Sequence, residues 1–237
     1  MFDFDYSEFN KNKCWYKSIC GNKEDCNDIF CMRHYKMSFL IHGATLEGNQ
    51  RSSIALYPSS VDYDAFVHLS NIKKNIKGFV ESGKNLLIHS KNTGNGKTSW
   101  SIKLLLSWFD CVWPYTDFEC RGLFISMPKF IQAMKENMSS PNEYYAYVHD
   151  NIVKADLVVW DEINYKDWTP FEQEYMLSVL EQRLAIGKSN IYTTNYDLPS
   201  VEKKLGSRLS SRIIGCSDVV EFFGSDKRGY KIGGVNK

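Results

Sequence analysis

The 237-residue chain is 43 % apolar and 24 % charged with a formal net charge of +1, a length that holds one α/β domain and a small appendage. Near-neutral charge gives no global electrostatic case for nucleic acid, and the local basic stretches (Lys73, Lys74, Lys77; Lys203, Lys204, Arg208) read as solvated helix faces. No apolar run is long enough to span a bilayer, and the opening Met-Phe-Asp-Phe-Asp is wrong for a signal peptide, so a cytoplasmic location without a membrane partner is expected.

Residues 1–40 are aromatic, polar and cysteine-rich without sustained periodicity, and read as a small N-terminal module. Residues 41–63, with Gly43, Gly48, Ser52, Ser53, Pro58, Ser59 and Ser60, read as a linker. Residues 64–237 read as the main domain. There Phe66, Leu69, Ile72, Ile76, Phe79 and Val80 recur at helical spacing and predict one helix ending at Gly83. Leu86 to Ile88 is a short buried strand, Lys97 to Phe109 a helix, and Gly122 to Met127 a strand. Pro128 to Met134 and Tyr144 to Val153 are helical, and Asp156 to Ile163 is an apolar strand ending in acids. Thr169-Pro170-Phe171-Glu172 opens a helix with a capping box and a proline at the first helical position, and Gly187 closes it. Ile191 to Thr194 is a strand, Pro199 to Arg212 mostly helix, and Val219 to Phe223 a last strand. Strands that read as continuous apolar runs between helices predict an α/β fold, a parallel sheet with helices on both faces.

The run Ser90-Lys91-Asn92-Thr93-Gly94-Asn95-Gly96-Lys97-Thr98-Ser99 lies between a predicted strand and a predicted helix, the context of a phosphate-binding loop. Its glycines let backbone N–H groups curl toward a phosphate, Lys97 neutralises β/γ charge, and the Thr98 hydroxyl is a Mg²⁺ ligand. Thr93, Gly94, Asn95, Gly96, Lys97, Thr98 and Ser99 are therefore the candidate ATP or ADP contacts. The strict pattern wants a glycine five residues before Gly96, where this chain has Lys91.

Leu157-Val158-Val159-Trp160-Asp161-Glu162 is an apolar strand ending in two acids, and the carboxyl ends of parallel strands face the ligand. Asp161 is the candidate for the Mg²⁺ shell and Glu162 the candidate for orienting the attacking water. Asn195, after the strand Ile191-Tyr192-Thr193-Thr194, is a candidate to share that water. Arg208 and Arg212 are four apart on one helix face, and Arg212 is the candidate arginine finger for a neighbouring subunit's γ-phosphate.

The order GNGKTS, LVVWDE, YTTN and LGSRLSSR resembles the DnaC/DnaI-type replicative helicase loaders, phage-type versions in particular, over roughly residues 62–224. The resemblance implies an AAA+ ATPase domain without a C-terminal helical lid, acting as a homo-oligomer. It also implies an N-terminal module that binds a hexameric DnaB-type helicase, and ATPase domains that touch single-stranded DNA while the helicase ring is placed on it. IstB-like transposition helpers share this ATPase type, and a P-loop small-molecule kinase is the reading from another class.

Four of the seven cysteines, Cys14, Cys20, Cys26 and Cys31, fall within eighteen residues, with His34 just beyond. In a reducing compartment such a cluster favours metal over disulfide. Some loaders of the resembled family carry a small zinc module, and the expected Zn²⁺ set is these four cysteines with His34 as a substitute for Cys14. An iron–sulfur cluster and four unligated thiols remain open. Cys111, Cys120 and Cys216 read as ordinary buried thiols.

Overall fold

The computed structural model describes residues 31–47, 50 and 56–226. In chain order its elements are α1 (Met32–Gly43), α2 (Tyr63–Lys74), α3 (Ile76–Glu81), β1 (Asn85–His89), α4 (Lys97–Val112) and, after a short 3₁₀ turn, β2 (Gly122–Ser126). Then follow α5 (Met127–Asn137), α6 (Glu143–Asn151), β3 (Leu157–Asp161), α7 (Pro170–Ala185), β4 (Ser189–Thr194), α8 (Leu198–Leu205), α9 (Ser207–Ile214) and β5 (Ser217–Glu221). The five strands form one sheet in the order β2-β3-β4-β1-β5, and every pairing is parallel. Among the described residues no helix is long and apolar enough to cross a membrane.

Strand alternation distributes the core over two faces. Leu86 and Ile88 of β1, Leu157 and Val159 of β3 and Ile191 of β4 pack with α1, α3 and α4. Leu87, Val158, Trp160 and Tyr192 pack on the other face with residues of α5 to α9. Local signals set the helix ends as expected. Thr169 and Glu172 form the capping box of α7, with Thr169 N–H donating to Glu172 Oε2 at 2.9 Å and Glu172 N–H donating to Thr169 Oγ1 at 3.3 Å. Gly187 ends that helix at φ +69°.

The end of the sheet where the strands begin is tied by a polar network that the sequence does not announce. Arg183 of α7 is fully buried. Its Nε donates to Asn190 Oδ1 at 2.7 Å, Nη1 to the carbonyls of Ile152 at 2.6 Å and Ala155 at 2.8 Å, and Nη2 to the Ser189 carbonyl at 2.6 Å. Burial pushes its guanidinium down to about 10, which still leaves it charged at neutral pH. Replacing it strands several buried acceptors at once, so Arg183→Leu is expected to cost about 3 kcal/mol or more in urea unfolding. A loss near zero would mean that the cavity fills with water.

Several boundaries differ from the sequence reading. Residues 32–47, divided there between the module and the linker, form α1 and its exit. Met37, Leu40, Ile41, Ala44 and Leu46 of this stretch lie in the core beneath α4. Thr45 adds a side-chain hydrogen bond to the Phe124 carbonyl, 2.5 Å, and the Ala44 carbonyl accepts from Phe124 N–H at 2.8 Å. The single helix expected from 64 to 83 is two, because Asn75 leaves helical geometry at φ −113°, ψ 36°. The expected helix 199–212 is likewise split at Gly206, φ +78°, ψ 159°. Of the thiols read as buried, Cys216 is exposed in the turn between α9 and β5, and Cys111 is only half-buried at the edge of the core. Cys120 fits the reading better, and burial pushes its thiol up to about 11.

Candidate nucleotide site

In a parallel sheet all strands end at one edge, and here β1, β3 and β4 deliver His89, Asp161 and Thr194 to it. The loop after β1 turns through Gly94 at φ +69° and Gly96 at φ +107°, both in the left-handed region where a side chain is strained. Gly96 is the residue before α4, and no side chain caps that helix, so its first N–H groups face the loop. Lys91 is not among the residues with positive φ, so the loop entrance needs no glycine. Instead Lys91 Nζ pairs with Asp197 Oδ2 at 2.9 Å. Hydrogen bonds from Ser200 and Lys91 hold the Asp197 carboxyl down at about 2, and Asp197 caps α8 through Ser200 N–H. The pair therefore ties the loop entrance to the segment that carries Asn195.

Lys97 is buried and folds back on its own loop, with Nζ donating to the Asn92 carbonyl at 2.7 Å and to Asn95 Oδ1 at 3.1 Å. The next residue reaches the acidic strand end: Thr98 Oγ1 donates to Asp161 Oδ1 at 2.9 Å, across 63 residues of sequence. Asp161 Oδ1 accepts a second hydroxyl, Thr193 Oγ1, at 2.7 Å. Burial raises the Asp161 pKa, while those hydroxyls and Lys97 pull it back. Glu162 ends β3 at φ +60°, a left-handed conformation that costs a side-chain-bearing residue about 1–2 kcal/mol, and its side chain is exposed at the sheet edge. Asn195 directly follows β4 at the same edge and is half-buried.

Beside the loop lies a cavity of about 350 Å³, walled by Leu56, Tyr57, Phe66, Trp100 and Phe222 and floored by Gly94, Asn95, Gly96 and Ser99. Its Phe66 and Trp100 rings meet edge-on at 5.3 Å. An apolar aromatic slot adjoining a phosphate loop has the size and chemistry for a nucleoside. Sequence reasoning missed it, because two of its wall residues, Leu56 and Tyr57, come from the segment read as a linker. The segment after β5 closes one side. Asp62 Oδ1 accepts from the N–H groups of Phe223 at 2.7 Å and Gly224 at 3.0 Å. Asn92 Nδ2 donates to the carbonyls of Phe223 at 3.0 Å and Gly224 at 3.2 Å. The Asp226 carboxylate lies so close over Gly94 that a Cβ there would collide with it.

The structure does not bring the two candidate arginines to this loop. Arg208 and Arg212 are exposed on α9 and line a separate groove of about 280 Å³ with Leu177, Glu181, Ser207 and Ser211. Arg212 Nη2 stands 3.4 Å from Glu181 Oε1. Of the cysteine cluster, Cys14, Cys20 and Cys26 lie outside the described residues. Cys31 is the residue before α1, where its Sγ accepts the His34 N–H at 3.5 Å, and desolvation lowers the pKa of the His34 ring. No group of three or more His, Cys, Asp or Glu side chains that could hold a metal occurs among the described residues.

No protein-family model and no curated protein sequence matches the chain. Solved structures do. A DnaC helicase loader shares 19 % identity, with 71 % of this chain and 94 % of that chain covered and a TM-score of 0.58. DnaI shares 17 % identity over 74 % of this chain and 88 % of its own, TM-score 0.55. AMPPCP-bound DnaA from Aquifex aeolicus shares 18 % identity over 70 % of this chain and 48 % of that chain, TM-score 0.52. The fold is therefore that of the DnaC/DnaI-type loaders and the DnaA AAA+ domain.

Proposed function

We propose that this chain is an ATP-hydrolysing AAA+ protein of replication initiation that helps place a DnaB-type hexameric helicase on single-stranded DNA. The observation that carries the ATPase part is the Thr98–Asp161 hydrogen bond of 2.9 Å, which joins the phosphate loop to the acidic strand end at one sheet edge. The phosphates of ATP or ADP would lie along Thr93 to Ser99, over the left-handed glycines and the first N–H groups of α4, with the nucleoside in the aromatic slot.

Thr98 and Asp161 fit a magnesium ion. Both are hard oxygen donors, and the hydroxyl proton already committed to Asp161 leaves the Thr98 lone pairs available. Held by these two residues, the ion would supply neutralisation of phosphate charge. Lys97 shares that task from the loop. Glu162, exposed beside them, orients the attacking water, and Asn195 at the end of β4 is its partner. Arg212 serves a neighbouring subunit, because its groove shares no residue with the nucleotide cavity of its own chain. Arg208 supports it from one turn earlier. The helicase part of the proposal draws on the likeness to a DnaC helicase loader, and the DNA part on the likeness to a replication initiator DnaA bound to AMPPCP and single-stranded DNA. A structural zinc on Cys14, Cys20, Cys26 and Cys31, with His34 as the alternative ligand, belongs to the same reading of the N-terminal module.

Co-purification with a DnaB-type helicase tests this, with and without ATP. The expected result is a complex whose lifetime depends on the nucleotide. A chain that ignores the helicase and instead follows a transposase is an IstB-like helper. Turnover independent of protein concentration, with phosphate passed to a small acceptor, would make it a kinase.

A further inference from the structure

We propose that Thr193 is a positioning residue for hydrolysis, one hydroxyl that holds Asp161 and the Glu162 backbone in register. The inference rests on the ATPase reading above and assigns a task to a residue outside the phosphate loop and the acidic strand end, two positions before Asn195.

Thr193 is the penultimate residue of β4, the strand that separates β1 from β3. Strand alternation puts it on the face of Ile191, where α4 packs, and puts Asp161 on the same face through Leu157 and Val159. It is 1 % exposed. Its Oγ1 donates to Asp161 Oδ1 at 2.7 Å and accepts the Glu162 N–H at 3.0 Å. A hydroxyl has one proton, and a backbone N–H can only donate, so these two bonds set the rotor in a single orientation. The main chain adds a third tie, as Ile163 N–H donates to the Thr193 carbonyl at 3.1 Å.

The strained residue lies inside this clamp. Glu162 is one of three side-chain-bearing residues with positive φ among those described, at +60°. Such a conformation persists where surrounding contacts over-determine it. Here the contacts are the Thr193 hydroxyl on the residue's own N–H and the Thr193 carbonyl on the next one. Turning the backbone there ends the strand and leaves the Glu162 carboxylate at the edge, while Asp161 stays buried under two hydroxyls. Thr193 thus couples the buried acid to the exposed one without touching substrate.

Thr193→Val, which keeps shape and removes the hydroxyl, is compared with Thr193→Ser, which keeps the hydroxyl. The readouts are turnover, affinity for a fluorescent ADP analogue in EDTA, the magnesium concentration that half-restores its affinity, and the urea midpoint. The valine variant is expected to lose about tenfold or more in kcat and to need about tenfold more magnesium, with EDTA-state affinity within about threefold of the parent. The serine variant is expected to recover both. Parent-like turnover and magnesium midpoint in the valine variant overturn the assignment. So does a serine variant as impaired as the valine one, since that would make the methyl packing responsible. Should the valine variant fail to fold, parent-like values in the serine variant support the hydroxyl's role and impaired ones reject it. A parent protein that binds no nucleotide in any buffer refutes the ATPase reading itself, a result distinct from these.

Discussion

Lys97→Ala will weaken nucleotide binding by about two orders of magnitude or more and abolish measurable turnover. A hydrogen bond to a charged group is worth about 1.5–3 kcal/mol, so losing the lysine's contacts with two phosphates corresponds to roughly a hundredfold. Burial strengthens the effect. Lys97 is 5 % exposed, its ammonium held by the Asn92 carbonyl and Asn95 Oδ1, and so already points along the loop instead of into bulk water. Little side-chain entropy is then left to lose when phosphate arrives. Binding of a fluorescent ATP analogue, read beside the urea midpoint, separates lost contact from lost fold. Arginine should not rescue, because a planar fork does not reproduce the contacts that the compact ammonium makes with the Asn92 carbonyl and Asn95 Oδ1. Wild-type affinity in Lys97→Ala would show that triphosphate does not dock on this loop.

Arg212→Ala will leave nucleotide affinity within about threefold and reduce hydrolysis by about a thousandfold, the low end for a finger arginine. Within its own subunit Arg212 has little to do. The pair with Glu181 is 3.4 Å long with both side chains nearly half exposed, a geometry that contributes at most about 1 kcal/mol. A charged fork on the outer face of a short helix, away from its own phosphate loop, is spare until another subunit presents one. Specific activity should therefore rise with protein concentration in the parent. Mixing Arg212→Ala with Lys97→Ala should restore turnover, since the first keeps an intact loop and the second still offers Arg212. Arg208→Ala should fall between parent and Arg212→Ala. If Arg212→Ala hydrolyses normally, the residue has no part in the site.

Much of the candidate site's local geometry was legible because its signals are local. Gly94 and Gly96 take the left-handed conformations that their loop needs, Thr169 and Glu172 form the box that their spacing announces, and Gly187 ends α7. Each of these depends on contacts within a few residues. The apolar runs of β1 and β3 likewise declared strands buried on both faces, and both are. Asp161 and Glu162 could be read for the same reason, since a strand's end is a property of the strand.

Pattern alone could not say who meets whom. Thr193 looked like filler in a strand until β4 was placed beside β3, bringing its hydroxyl to Asp161 across 32 residues. Lys91 looked like a defect in a glycine motif, and Asp197 on another loop made it a tie. Ile41, Leu46 and Leu56 were hidden in text rich in glycine and serine, although the first two pack in the core and the third walls the aromatic cavity. Asp62 gained its role from Phe223 and Gly224, about 160 residues away. By itself, then, the sequence determined the strands, the capping box of α7 and the left-handed glycines of the candidate loop, because capping and backbone preference act over one turn. The tertiary structure decided strand order, the aromatic slot and the clamp on the acids, because those contacts exist only once distant segments are closed onto one sheet edge.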